Sequence, residues 1–209
     1  LCRIRGVDGV RLMEVLCRDA QLNISRRYLR PGFAFGGACL PKDLRALIGA
    51  AGGAGVRLPV LEGALASNRL LIERTAGRIL QLDSQGSVGL LGLAFKEGSD
   101  DLRESPYVQL ARKLRDAGRT VLAYDPAVDV HQLFGASLQF VREALPELPD
   151  LVCDDPGELA RRCRIVVVSR RDPRFVEALR RLRSDQFVYD LAGLPIEDRG
   201  PGRYVGLSG

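Results

Sequence analysis

No C-x-x-C pair, no G-x-G-x-x-G turn and no run of about 20 apolar residues occurs in this chain, and each absence closes off a class of protein. Five cysteines, at positions 2, 17, 39, 153 and 163, form an odd set at irregular spacing. That excludes a disulfide framework and a structural zinc site, so no metal is expected, and a reducing cytoplasmic setting fits best. The longest stretch of low charge, Ala46 to Gly55, is glycine-rich and gives way to Arg57 and Pro59, so no membrane span is expected. Leu1-Cys2-Arg3-Ile4-Arg5 leads into no apolar segment of the kind that follows the start of a secretory leader. The chain opens on Leu rather than Met and enters a helical pattern almost at once, so it is expected to be a piece of a longer polypeptide or a truncated homologue. His131, the only histidine, stands outside every motif, which suits a surface or loop position rather than catalysis. The glycine-rich dinucleotide turn is missing even where a strand-to-helix connection would carry it, so no ordinary dinucleotide site is expected in the second half.

What is present is an ordinary globular composition. The chain has 209 residues, 46% hydrophobic and 27% charged, enough for one large or two small domains. The net charge of +5 comes with arginines crowded between Arg161 and Arg183. They lie on either side of the apolar run Ile165 to Val168, with few aromatics among them, which marks a solvated surface rather than a nucleic-acid face. A mild positive field also suits anionic nucleotide ligands.

Two rhythms divide the chain. Residues 1–84 read as helical, with Val7, Val10, Met13 or Leu12, Leu16 and Cys17 at helical spacing, then a break at Asn23-Ile24-Ser25. A helix from about Pro41 carries Leu44, Leu47 and Ile48 until the glycines at 52, 53 and 55. A longer helix follows Pro59 and ends before Gly86, with Leu61, Ala64, Leu65, Asn68, Leu71, Ile72, Ala76, Ile79 and Leu80 on one face. A stripe that long needs a partner, so this helix is expected to connect two domains and to help build a homodimer.

From residue 85 onward, apolar runs alternate with helices, the pattern of a parallel sheet covered on both faces. The expected strands are 88–93, 120–124, 165–168 and 187–191, with a weaker one at 204–207. Ser105 and Pro106 start a helix that Gly118 stops, Asp155 and Pro156 start another, and a third runs near 173–183. Between 127 and 150 no element is assigned. The fold class is therefore α/β, a helical dimerisation region over 1–84 followed by a Rossmann-like unit over 85–209.

The most informative segment is Phe33-Ala34-Phe35-Gly36-Gly37-Ala38-Cys39-Leu40-Pro41-Lys42-Asp43. It sets a thiol between a flexible glycine pair and the start of a helix, with Pro41 suited to the first helical position. Helix-start N–H groups, with Lys42 alongside, favour a thiolate, and Asp43 in the first turn can orient water or accept a proton. A structural cysteine beside a helix cap would have the same local spacing. Downstream, Phe95 and Lys96 open the turn after the first strand, at the end where open α/β sheets bind ligands. Taken alone, Lys96 reads as a solvated cation, and Arg103 could pair with Asp100 or Asp101.

Arg30 through Asp43, together with Gly89-Leu90-Leu91-Gly92-Leu93-Ala94-Phe95-Lys96 and Asp100-Asp101-Leu102-Arg103-Glu104-Ser105-Pro106, resembles the two signatures of the nucleotide-sugar 6-dehydrogenases. The resemblance is specific over 23–45 and 88–107. Asn23 and Leu40 point to its GDP-mannose branch over its UDP-glucose branch, while Arg27 and Ala38 depart from the usual residues of the sugar pocket. It implies an oxidoreductase of polysaccharide biosynthesis that takes the sugar's primary alcohol to a carboxylate with two NAD molecules in turn. Cys39 would attack the intermediate aldehyde to give a thiohemiacetal, later a thioester that water opens. It further implies sugar-nucleotide contacts at Asn23, Tyr28, Arg30, Phe35, Gly36, Gly37, Phe95 and Lys96, cofactor contacts at Lys42 and Arg103, and proton or water handling at Asp43. The part that holds most of the NAD in the family has no counterpart in the 38 residues before Cys39, so the chain alone is expected to be inactive. A non-catalytic dimerisation and sugar-nucleotide-binding module is the alternative from another class.

Overall fold

The computed structural model describes residues 7–19 and 32–206. Cys2, Asn23, Tyr28 and Arg30 lie outside the described residues. The first helix, α1 (Gly9–Leu16), starts on Asp8, whose carboxylate accepts from the Val10 N–H at 2.8 Å and the Arg11 N–H at 3.3 Å. Pro41 sits in the first turn of α2 (Leu40–Gly53), and Pro59 opens α3 (Pro59–Leu82). Both proline starts and the glycine stop of α2 fall where the sequence pattern places them.

The remainder is a five-stranded, wholly parallel sheet. Its strands are β1 (Val88–Leu91), β2 (Val121–Tyr124), β3 (Ile165–Val168), β4 (Phe187–Asp190) and β5 (Arg203–Gly206). Their spatial order is β2-β1-β3-β4-β5, with Val88 opposite both Val121 and Ile165. Helices α4 (Pro106–Asp116), α5 (Gly135–Ala144), α6 (Leu148–Leu151), α7 (Pro156–Arg162) and α8 (Pro173–Arg180) make the crossovers. Strand side chains alternate between faces, and the core divides accordingly. Val88, Leu90, Ile165 and Val167 pack with the α3, α4 and α5 side, whereas Leu91, Val166 and Val168 pack with Leu159, Phe175 and Leu179 of α7 and α8. This is the mixed α/β fold with both faces of the sheet covered.

Three features go beyond the sequence pattern. The first strand stops at Leu91 rather than residue 93, because Gly92 turns at φ 101° and the next two N–H groups, of Leu93 and Ala94, donate to Asp125 at 2.8 and 2.9 Å instead of to a ladder. The unassigned stretch holds α5 and α6. Phe134, at the N-cap of α5, offers no capping oxygen, so the usual start signal is missing even though Val141, Leu145 and Leu148 are buried. Finally, the far half of the α3 stripe is covered by the chain itself: Ile72, Ala76 and Ile79 are buried in the core beside α4.

Candidate active site at the cysteine loop

The loop before Cys39 is seated residue by residue. Phe33 lies against the Tyr107 ring of α4, with centroids 5.6 Å apart, and Ala34 is buried in the core. The backbone of Phe35 is held at both ends by one side chain of α3: its N–H donates to Asn68 Oδ1 at 2.8 Å, and its carbonyl accepts from Asn68 Nδ2 at 2.8 Å. Gly36 rests on the backbone of Glu104 and on Pro106. A Cβ there would overlap the Glu104 carbonyl oxygen and stand 2.7 Å from Pro106 Cδ, so residue 36 must be glycine for want of space. At Gly37 the reason is conformational, with φ 88° and the Phe95 ring where a side chain would go. Gly36→Ala is expected to cost about 1–3 kcal/mol and to displace the loop, read as a lower melting temperature with a changed alkylation rate at Cys39.

Cys39 itself is exposed and occupies the N-cap position of α2, making no side-chain capping bond. Its carbonyl accepts the Asp43 N–H at 2.8 Å, which closes the first helical turn. The residue lines a cleft of about 310 Å³ together with Gly36, Gly37, Phe95, Lys96, Ser99 and Asp101. Residues 36–40 and 95–101, more than fifty residues apart in the chain, thus line one cleft. Burial pushes the thiols of Cys153 and Cys163 up, Cys163 to about 12, which slows both as nucleophiles.

The 95–105 turn is anchored at its far end. Leu102 is fully buried and its N–H donates to Ser137 Oγ at 2.9 Å, while Ser105 Oγ donates to the Leu93 carbonyl at 2.6 Å and caps α4. Glu104 adopts φ 53°, unusual for a residue with a side chain and costing roughly 1–2 kcal/mol, and pairs with Arg45 of α2 at 2.7 Å. Arg103 makes a two-pronged pair with Asp101, at 2.8 and 2.7 Å. That hydrogen-bonded carboxylate holds the guanidinium above its ordinary value, and the charge of the Cys39 sulfur adds to the effect. Arg103 therefore stands within electrostatic reach of the thiol. It also lines a neighbouring cleft of about 370 Å³ with Asp100, Asp101 and residues 133–137.

Lys42 and Asp43 sit on the solvent side of the first turn of α2 and pair with each other at 3.3 Å. Phe95 and Lys96 are exposed at the cleft. Of the residues expected at the site, the fold brings together Gly36, Gly37, Cys39, Phe95 and Lys96; it sets Lys42, Asp43 and Arg103 at the margin and uses Phe35 through its backbone. Asn68, Ser99 and Glu104 join them without having been singled out for the site. Asn68 had one visible signal, an amide inside an otherwise apolar stripe.

At the switch point between β1 and β3, where parallel sheets of this order take nucleotide ligands, the crevice is filled from within. Asp125 and Arg170 form two hydrogen bonds of 2.8 and 3.0 Å, and the Arg170 guanidinium lies 5.0 Å from the Phe175 ring. The Asp125 side chain is fully buried. Burial alone would raise its pKa, but the Arg170 hydrogen bonds and the Leu93 and Ala94 N–H groups outweigh it and hold the carboxyl below its ordinary value. The turn after β1 at Gly92 is therefore not the glycine-rich turn of a dinucleotide site. Among the described residues no group of His, Cys, Asp or Glu could hold a metal ion, and no helix is long and apolar enough to cross a membrane.

Two family models match the chain: the UDP-glucose/GDP-mannose dehydrogenase family central domain over residues 1–70, and the same family's UDP binding domain over residues 89–194. The chain belongs to the UDP-glucose/GDP-mannose dehydrogenase family. GDP-mannose 6-dehydrogenase of Pseudomonas aeruginosa is 39% identical over 188 residues, covering 90% of this chain and 43% of the relative. UDP-glucose 6-dehydrogenase of the same species is 38% identical over 133 residues, 62% of this chain and 29% of that one. Among solved structures, a ternary complex of GDP-mannose dehydrogenase from Pseudomonas aeruginosa superposes with a TM-score of 0.74 at 36% identity, covering 97% of this chain and 46% of the other. The chain thus spans less than half the length of these UDP-glucose/GDP-mannose dehydrogenase relatives. Both matched segments contribute a wall of the Cys39 cleft.

Proposed function

We propose that this chain is the central and C-terminal part of an NAD-dependent nucleotide-sugar 6-dehydrogenase that oxidises GDP-mannose to GDP-mannuronate. In this reading residues 1–84 form the helical dimerisation region and 85–209 the nucleotide-sugar-binding unit. The observation that carries it is the exposed Cys39 sulfur at a helix start, in a cleft shared with Phe95 and Lys96. Phe95 and Lys96, with Asn23, Tyr28 and Arg30, take the sugar nucleotide, the cation and the arginine fork meeting its phosphate or sugar oxygens. Gly36 and Gly37 let the ligand approach the backbone. The Cys39 sulfur attacks the aldehyde carbon, forming a C–S bond while the carbonyl oxygen takes a proton. The carbon stays covalently held between the two oxidations, and Asp43 orients the water that finally releases the acid. NAD would accept the hydrides; Lys42 and Arg103 would meet it from this side, its main holding site lying outside these residues.

A homodimer suits the apolar surface that the fold leaves exposed on α2 and α3, at Leu47, Val60 and Leu70. UDP-glucose is the second substrate reading, favoured by the description of the matched C-terminal segment as a UDP binding domain. Titration calorimetry with the two sugar nucleotides separates them: GDP-mannose is expected to bind at least about tenfold tighter, a difference of about 1.4 kcal/mol. Tighter UDP-glucose binding would reverse the substrate assignment. The purified 209-residue chain is expected to give no NAD reduction with GDP-mannose, and observed turnover would refute the need for a separate NAD-holding part.

A further inference from the structure

Asn68 lies on α3, where an amide interrupts the apolar stripe, and spends both ends of that amide on the main chain of Phe35, four residues before Cys39. The arrangement copies the two-way bonding of a strand neighbour. It also sets the register of the glycine pair. Gly36 fits only against Glu104 and Pro106, and Gly37 only beside Phe95, so a shift of Phe35 carries both glycines, and with them the thiol, out of the cleft. The Arg45–Glu104 pair holds the opposite side of the same seat, linking α2 to the turn beneath the glycines. We infer that Asn68 is a positioning residue for Cys39, acting through the Phe35 backbone rather than by touching substrate. The inference rests on Cys39 being the reacting atom.

An isosteric change isolates the device. In Asn68→Asp the carboxylate still accepts from the Phe35 N–H, but it meets the Phe35 carbonyl acceptor to acceptor. In Asn68→Leu both backbone groups lose their partner, with little change in volume. The test is iodoacetamide labelling of Cys39 and Cys153, read by mass spectrometry in the same molecule, beside hydrogen exchange at the Phe35 amide. In the unsubstituted protein the Phe35 amide is expected to exchange about tenfold more slowly than that of Ala38. Asn68→Leu is expected to lose that protection and Asn68→Asp, which still accepts from the Phe35 N–H, to keep part of it, while both are expected to change the Cys39 labelling rate at least about threefold, with Cys153 unchanged. Parallel changes at the two cysteines would mean general loosening and overturn the inference, as would an unchanged Cys39 rate. If neither variant folds, the unsubstituted protein decides, because a Phe35 amide exchanging as fast as that of Ala38 rules the clamp out. No sugar nucleotide enters these measurements, so their failure is distinguishable from a failure of the substrate assignment.

Discussion

Cys39→Ser is expected to lower uronate formation by about three orders of magnitude in a full-length enzyme carrying this chain, equivalent to about 4 kcal/mol of transition-state stabilisation. The hydroxyl fills nearly the same space as the thiol, so the glycine pair still docks on Phe95 and Glu104, and the melting temperature should hardly move. What changes, under the proposed function, is the nucleophile. A serine hydroxyl is essentially un-ionised near neutral pH, and no histidine among the described residues stands beside it to take its proton, since His131 is exposed and lies outside the cleft residues. Aldehyde capture therefore fails while sugar-nucleotide binding persists. Steady-state assay of uronate, with calorimetry of GDP-mannose binding on the same preparation, checks both halves. Retained turnover in the serine variant would remove Cys39 from the chemistry; lost binding would make it a structural residue.

The other large effect is on stability. Asp125→Ala is expected to destabilise the protein by about 3–5 kcal/mol, because it leaves the largely buried Arg170 guanidinium without its counter-charge and strips the Leu93 and Ala94 N–H groups of their acceptor. Asp125→Asn keeps the shape but not the charge and should fall between the two. The same carboxylate gives a pH signature. Its pKa is depressed in the folded state, so its contribution is complete above the unfolded value of about 4 and fades as the pH drops through the lower, folded one. Urea unfolding between neutral pH and pH 3 should therefore show an acid-side loss of stability in the parent that is smaller in Asp125→Asn. Equal slopes would show that the pair is electrostatically unimportant.

Much of the architecture was legible from local chemistry. Pro41, Pro59 and Pro106 mark helix starts, and Ser105 and Asp155 supply capping oxygens, because the first N–H groups of a helix need an acceptor close in sequence. The runs at 88–91 and 165–168 read as buried strands because a parallel strand covered on both faces has no polar side. Helix α5 escaped because its start carries no such oxygen. β1 ends two residues before its apolar run does, because Leu93 and Ala94 are apolar enough for a strand and only Asp125, thirty-odd residues later, takes their N–H groups.

At the candidate site the division runs the same way. The residues about Cys39 announced a thiol, a glycine pair and a helix start, features that depend only on neighbours along the chain. That the pair must be glycine because of Phe95 and Glu104, that one amide on α3 holds Phe35, and that Arg170 closes the sheet's crevice were decided by tertiary structure alone. Each of these is a contact between groups far apart in sequence, whose distance no local propensity encodes. By itself the sequence determined which segments could become helix, strand or reactive loop; only the folded packing decided which of them meet.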